Sequence, residues 1–466
     1  MPPPQRGLST YARRLSQWSL AELSRSFPEM EEILSSVKLR FRERIFSPLV
    51  TFWMFLSQVL SDGASCQEMV ARALALLWIA EGQDASSGNS AYCQARKRIP
   101  EFCLEQIAEA TAARLERQVC KQHLWMGRHV RIVDGSSLSM PDTPENQGAY
   151  PQPRSQKAGC GFPVMRVVVI FSLATGAILK LARGALSQSE RFLFQGLQPI
   201  LQAGEVLLAD RGFCSFAEVH ILMQRGVDAV LRNHQRRSVG LRCIRKLGRR
   251  DRLVEWFNSS KVCPAWMKKE VWQQIPDKLM LREITYTLPV PGFRSETIIV
   301  VTTLTDPKLF PTEVFIDLYR RRWQAELFLR DIKISLHMDV LRCKTPAMVH
   351  KELWMHIIAY NLIRSLMWKA AQQHQVSLHS ISFKSSLALV RQWAPYFAGL
   401  NLSNSRISKM QKRFLQYLAE QIVPERPGRR EPRARKRRPK NFALLTTTRR
   451  QFKEIIHRNR YRKDLN

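Results

Sequence analysis

The stretch EVLLAD, residues 205–210, reads as a short strand that ends in an acid. Its four central residues are all apolar, with no polar alternation, which marks a strand buried on both faces. Working outward, HVRIVDGSSLSM (129–140) reads as a strand ending at Asp134. VMRVVVIFSL, the turn ATG and AILKLARGAL (164–186) read as a hairpin. SQSERFLFQGLQPIL (187–201) reads as a helix opened by Ser187, with Glu190 three residues on. SFAEVHILMQRG (215–226) is a helix with a glycine stop, and VDAVLRN (227–233) is another strand. The order is strand, strand, strand, helix, strand, helix, strand, which predicts a mixed α/β sheet.

That order is of the ribonuclease H-like type, and the rest of the chain is arranged around it. Residues 1–125 read as an N-terminal helical domain, with Ser47-Pro48 and the capping-box spacing Ser65/Glu68 as helix starts. The short basic pattern NSAYCQARKRIP within it suits either a DNA-reading helix-turn-helix or a helical cap that packs and oligomerises. Residues 126–233 form the first part of the core, 234–295 a β-rich insertion, and 296–375 the second part, returning through ETIIVVTTL. Residues 376–466 are expected to be a C-terminal helical region with a basic arm, Arg426 to Lys440.

Charge narrows the partner. The 466 residues carry 73 Lys+Arg against 39 Asp+Glu, a formal net charge of +34, and 45% are hydrophobic. Such a chain can bury sizeable cores in two to four domains, so it is not a disordered polybasic tail. The charge points to a polyanion, most simply double-stranded DNA. The two most apolar runs, Leu49 to Leu60 and Val167 to Ala174, are too short to span a bilayer, so no membrane is expected. The nine scattered cysteines suit a reducing cytosol, and MPPPQRGLST has no signal-peptide core.

A second stretch carries the chemistry: YRRRWQAELFLRDIK, residues 319–333, within a helix opened by Pro311. On a helical wheel with Tyr319 at zero, Arg322 falls at about 300°, Glu326 at about 340° and Lys333 at about 320°. Ala325, Phe328, Leu329 and Ile332, with Val314 and Leu318, make the opposite, core-facing stripe. Alone, the polar arc is equally a solvated face with an Arg322–Glu326 pair. Asp134 and Asp210 change the balance. Each ends an expected strand before a glycine-containing turn. Two strand-end aspartates with a helix glutamate make an oxygen-only site for hard divalent ions. Two such ions, Mg²⁺ with Mn²⁺ as a substitute, would hold the attacking and leaving oxygens of a phosphodiester displacement. A strand-end aspartate that merely starts a turn is the bland alternative for each.

These residues resemble a known family. The pattern Y-x2-R-x3-E-x6-K, met by Tyr319, Arg322, Glu326 and Lys333, is similar to the signature of the insertion sequence 4 family of bacterial DDE transposases. VDGS and ADRGF resemble its two aspartate motifs, in the same order, and the likeness spans roughly residues 40–375. It implies Asp134, Asp210 and Glu326 as catalytic metal ligands, and Tyr319, Arg322 and Lys333 as phosphate contacts, to which the neighbouring Arg330 and Arg211 are added. It implies cleavage at terminal inverted repeats, strand transfer through a hairpin intermediate, and a homodimeric synapse. Members stack an insertion-domain tryptophan on a flipped base; Trp256, Trp266 and Trp272 are the candidates, with strand packing as their plainer role. Two other outcomes stay open: a catalytically inactive DNA-binding descendant, and a nuclease or resolvase of the same fold.

Overall fold

The structure is a computed structural model and describes residues 28–36, 45–81, 85–233, 241–259, 262–264, 266–288, 296–399, 403–424, 445–448 and 451. The expected basic arm, Arg426 to Lys440, lies outside the described residues, as does the start of the expected insertion.

Helices come first: α1 (Pro28–Ser36), α2 (Pro48–Leu60), α3 (Cys66–Glu81), α4 (Ser90–Arg98) and α5 (Glu101–Glu116). Their starts follow local chemistry. Ser47 Oγ accepts the Val50 N–H at 3.3 Å, with Pro48 in the first turn where no backbone donor is needed. Ser65 Oγ accepts the Glu68 N–H at 3.1 Å.

The strands are β1 (Val130–Ser139), β2 (Val164–Ser172), β3 (Ile178–Ala185), β4 (Val206–Ala209), β5 (Asp228–Arg232), β6 (Leu241–Gly248), β7 (Asp251–Phe257), β8 (Lys278–Leu288) and β9 (Glu296–Thr302). They form one mixed sheet in the order β3-β2-β1-β4-β5-β9-β8-β7-β6. β1 runs parallel to β4 and β4 to β5, whereas β2 is antiparallel to both β1 and β3. The strands of residues 241–288 continue this sheet, because β9 bonds to β5 on one edge and to β8 on the other.

Between the strands lie α6 (Pro144–Ala149), α7 (Glu190–Gln195), α8 (Phe216–Gln224) and α9 (Lys269–Gln273). Then follow α10 (Thr312–Arg321), α11 (Trp323–Arg330), α12 (Pro346–His374), α13 (Phe383–Gly399) and α14 (Asn404–Ala419). Sheet alternation sorts the core into two layers. Val130, Ile132, Val167, Val169, Leu208 and Val230 face α11 and α12, while Val133, Val168, Ile170, Leu207, Ala209 and Leu231 face α7 and α8. Arg282 of β8, 0% exposed, ties the outer strands to the start of α10. It donates to Asp251 at 2.9 and 2.5 Å and to the Phe310 carbonyl at 2.6 Å. Among the described residues, no helix is long and apolar enough to cross a membrane.

Three expected boundaries move. β1 does not end at Asp134 but runs on to Ser139, because β2 pairs with it throughout, Asp134 opposite Val169 and Gly135 opposite Val168. The helix expected from Ser187 starts at Glu190, with Ser189 as its cap: Gln188 turns back to accept the Ala185 N–H. The single helix expected from Pro311 is jointed. At Arg322 the N–H reaches back only to Tyr319, and residues 331–335 form a widened π turn.

Candidate active site

The sheet register brings the two aspartates together. The β1–β4 ladder is parallel, with Ile132 opposite Leu208 as its last pair. Carried two residues further, that register sets Asp134 beside Asp210 where the strands part. Two steps along a strand restore the side-chain direction. Asp134 therefore shares a face with Ile132, and Asp210 with Leu208: the α11 face in both cases. Arg232 follows Val230 by two residues on β5 and joins the same corner.

Glycine fixes each carboxylate. The Gly135 N–H donates to Asp134 Oδ1 at 2.8 Å, and the Gly212 N–H to Asp210 Oδ1 at 2.7 Å. A Cβ at Gly135 would overlap the Glu190 carboxylate, and one at Gly212 would lie 2.9 Å from Asp210 Oδ1. Arg191 holds the second loop by donating Nε–H to the Gly212 carbonyl at 2.8 Å.

Helix α11 supplies the third acid. Ala325, Phe328 and Ile332 bury the expected stripe against the sheet layer, which turns Glu326 outward to a half-buried position. Arg322 Nη2–H donates to Glu326 Oε1 at 2.9 Å. Lys333, from the π turn, donates to Ser136 Oγ (2.9 Å) and the Ser137 carbonyl (3.0 Å) on β1, just past Asp134. Tyr319 does not lie on a solvated face: it is 5% exposed, and its hydroxyl has no hydrogen-bond partner among the described residues.

The electrostatics tie these groups into one site. Burial pushes the Asp134 carboxyl up to about 6; Arg322 and the Gly135 N–H oppose this, and the charges of Asp210 and Glu326 add to it. Burial likewise pushes the Tyr319 phenol up to about 12, against Arg322 and Arg232 and with Asp210. Each acid has one oxygen engaged as above, and its second oxygen has no hydrogen-bond partner among the described residues. Among the described residues, no three His, Cys, Asp or Glu side chains are already gathered as a metal-ion cage.

The other expected contacts lie further out. Arg330 is mostly exposed and lies 3.8 Å from Asp331, while Arg211 is exposed. Trp256, Trp266 and Trp272 line one pocket of about 290 Å³, together with Arg191, next to the Asp210 loop. Trp256 is buried there and packs edge-on against Phe216 at 5.4 Å; Trp266 and Trp272 are half-buried. Arg232 and Arg191 were not among the expected site residues. The even spacing of Arg232 after Val230 was the available signal; nothing local marked Arg191.

Residues 125–362 match the family model for the transposase DDE domain, and the chain belongs to that family of DNA transposases. Its relatives narrow this to the insertion sequence 4 type. It is 29% identical over 355 residues to transposase InsG for insertion sequence element IS4 of Escherichia coli K12, covering 75% of this chain and 77% of that one. It is also 38% identical over 71 residues to a probable transposase for insertion sequence element IS5377 of Geobacillus stearothermophilus, covering 15% of this chain and 19% of the other. A piggyBac transposase synaptic complex with hairpin DNA superposes with a TM-score of 0.41 and 9% identity, over 89% of this chain and 84% of that one.

Proposed function

We propose that the chain cuts DNA at the terminal inverted repeats of an insertion sequence and joins the freed 3′ ends to target DNA. Asp134, Asp210 and Glu326 are the catalytic acids in this reading and hold two divalent cations, Mg²⁺ or Mn²⁺. The observation that carries it is the shared face: one parallel register aims both aspartates at the helix bearing Glu326. A ribonuclease H-like core is supported by the order β3-β2-β1-β4-β5, in which β2 alone runs against the other four.

The donor set suits a hard cation, since it offers three carboxylates with an open oxygen each. Burial raises the Asp134 carboxyl and the charges of Asp210 and Glu326 add to it; a cation there would offset that added repulsion. A divalent cation held there supplies Lewis acidity to a phosphodiester and its attacking water. The chain's own groups do the rest. Arg322 presents a planar fork to the phosphate while orienting Glu326, and Lys333 adds a point charge at the β1 edge. The buried Tyr319 hydroxyl is a neutral donor to a phosphate oxygen. A 3′-OH freed by the first cut attacks the opposite strand, giving a hairpin, and later the target backbone. Trp266 and Trp272 are the tryptophans left to stack on a displaced base, since Trp256 is committed to the core. Arg330 and Arg211 face solvent as backbone contacts, and a homodimer forms the synapse.

The test is divalent-metal-dependent nicking and strand transfer on defined element ends. Glu326→Gln is expected to abolish both while DNA affinity survives. Nicking without strand transfer would instead identify a nuclease of the same fold, and binding without cutting by the wild type an inactive descendant.

A further inference from the structure

Away from the acids, a pocket of about 270 Å³ lies where α2, α3 and α4 meet the chain that follows the π turn. Arg96, Cys66, Cys343, Glu352, His356 and Arg342 are among its lining residues. Arg96 is its unsatisfied member. It belongs to the basic helix α4, yet is only 6% exposed. Its guanidinium stacks on the Phe55 ring at 3.9 Å and donates to Cys66 Sγ at 3.0 Å and Cys343 Sγ at 3.2 Å. Thiols are weak acceptors. Its Nε–H has no hydrogen-bond partner among the described residues. The nearby Glu352 carboxylate is committed elsewhere: it accepts the Arg342 N–H at 2.9 and 3.0 Å and the Cys343 N–H at 2.8 Å.

Glu352 acts on this charge from beyond ion-pair contact, but no carboxylate among the described residues pairs with it directly, and the open pocket beside it has room for an anion. A second group points the same way. His356 is 5% exposed, lines the pocket, and its Nδ1 has no hydrogen-bond partner among the described residues. At the mouth, the exposed Arg342 guanidinium has no hydrogen-bond partner among the described residues, and His337 pairs with Asp62 at 3.0 Å.

We propose that this pocket binds a small phosphate-class oxyanion, gripped by Arg96 at its floor and Arg342 at its mouth. The site is independent of the transposition reading and needs neither catalytic acid nor metal. A guanidinium fork matches paired phosphate oxygens. Burial, with Arg342 and His337 nearby, holds the His356 pKa down to about 3, so a neutral imidazole faces the ligand.

The test uses the full chain, free of DNA and metal, with pyrophosphate as the probe. Equilibrium dialysis at physiological salt is expected to show one saturable site per chain. Because Cys66 lines the pocket, bound pyrophosphate is expected to slow its alkylation by iodoacetamide, read by mass spectrometry. Arg96→Met is expected to weaken binding at least about tenfold and to remove the protection. Binding by Arg96→Met equal to wild type, or no saturable binding by wild type, overturns the proposal. Arg342→Gln, at an exposed position, keeps the test decisive if Arg96→Met fails to fold: unchanged affinity and Cys66 protection would also overturn it. A duplex lacking terminal phosphates, added in competition, identifies the source. If it displaces pyrophosphate and protects Cys66, the oxyanion is a DNA backbone phosphate; if it does not, the ligand is a free phosphate compound.

Discussion

Glu218 sits in the first turn of α8, three residues after the capping Ser215, whose hydroxyl accepts its N–H at 3.3 Å. A glutamate at this position ordinarily reaches back to the cap. Here the side chain turns inward instead: it is 0% exposed, and neither carboxylate oxygen has a hydrogen-bond partner among the described residues. Burial pushes its pKa from 4.5 to about 8, against the pull of Arg191. In the unfolded chain the group ionises near its ordinary value. The folded state therefore holds a proton that the unfolded state releases, and stability falls as pH rises between those two values. Each unit is worth about 1.36 kcal/mol, so from pH 5.5 to 7.5 the group removes about 3 kcal/mol. Glu218→Gln keeps the shape and cannot titrate. Urea unfolding of both proteins at those two pH values isolates the effect, because all other groups cancel in the difference. Glu218→Gln is expected to gain about 3 kcal/mol on the wild type over that interval. Parallel pH profiles would show that Glu218 ionises freely in the folded protein, and the burial argument would fail.

Three further outcomes are expected. Asp251→Ala strands the Arg282 guanidinium, 0% exposed, and is expected to cost about 3–5 kcal/mol in urea unfolding, most of it recovered in the double variant with Arg282→Met. Arg322→Lys loses the fork that holds Glu326, so single-turnover cleavage is expected to fall about tenfold or more, with little change in duplex affinity by gel shift. In the proposed site Asp134, pushed up to about 6 by burial, has to shed its proton to take a cation. Mg²⁺ affinity by calorimetry is thus expected to be flat above that pH and to drop about tenfold per unit below it, a slope absent from Asp134→Asn.

The sheet order and the apolar stripe of α11 were legible because both are periodic. The four apolar residues of β4 are all buried, as a strand covered on both faces requires. The convergence of Asp134 and Asp210 could also be read from parity: each stands two residues past a core residue of its own strand. What was not legible depends on distant contacts. The wheel set Tyr319 on the polar arc beside Glu326, but it is buried in the core layer that holds Phe315 and Leu318. No window of sequence reports that Arg96 is enclosed by Cys66 and Cys343, because Cys343 lies 247 residues away. The three tryptophans looked like separate strand residues until folding gathered them beside Arg191.

The widened turn at residues 331–335 changes what the spacing between Glu326 and Lys333 measures. On an ideal helix seven residues make two turns, and the motif reads as a statement about one face. Here the interval ends inside a loosened coil, and the lysine anchors to the strand that carries Asp134. The count thus gauges the reach from helix to strand. Deleting one residue there would tighten the coil into a regular helix and swing the ammonium off its serine, leaving the backbone better hydrogen-bonded and the enzyme worse aligned.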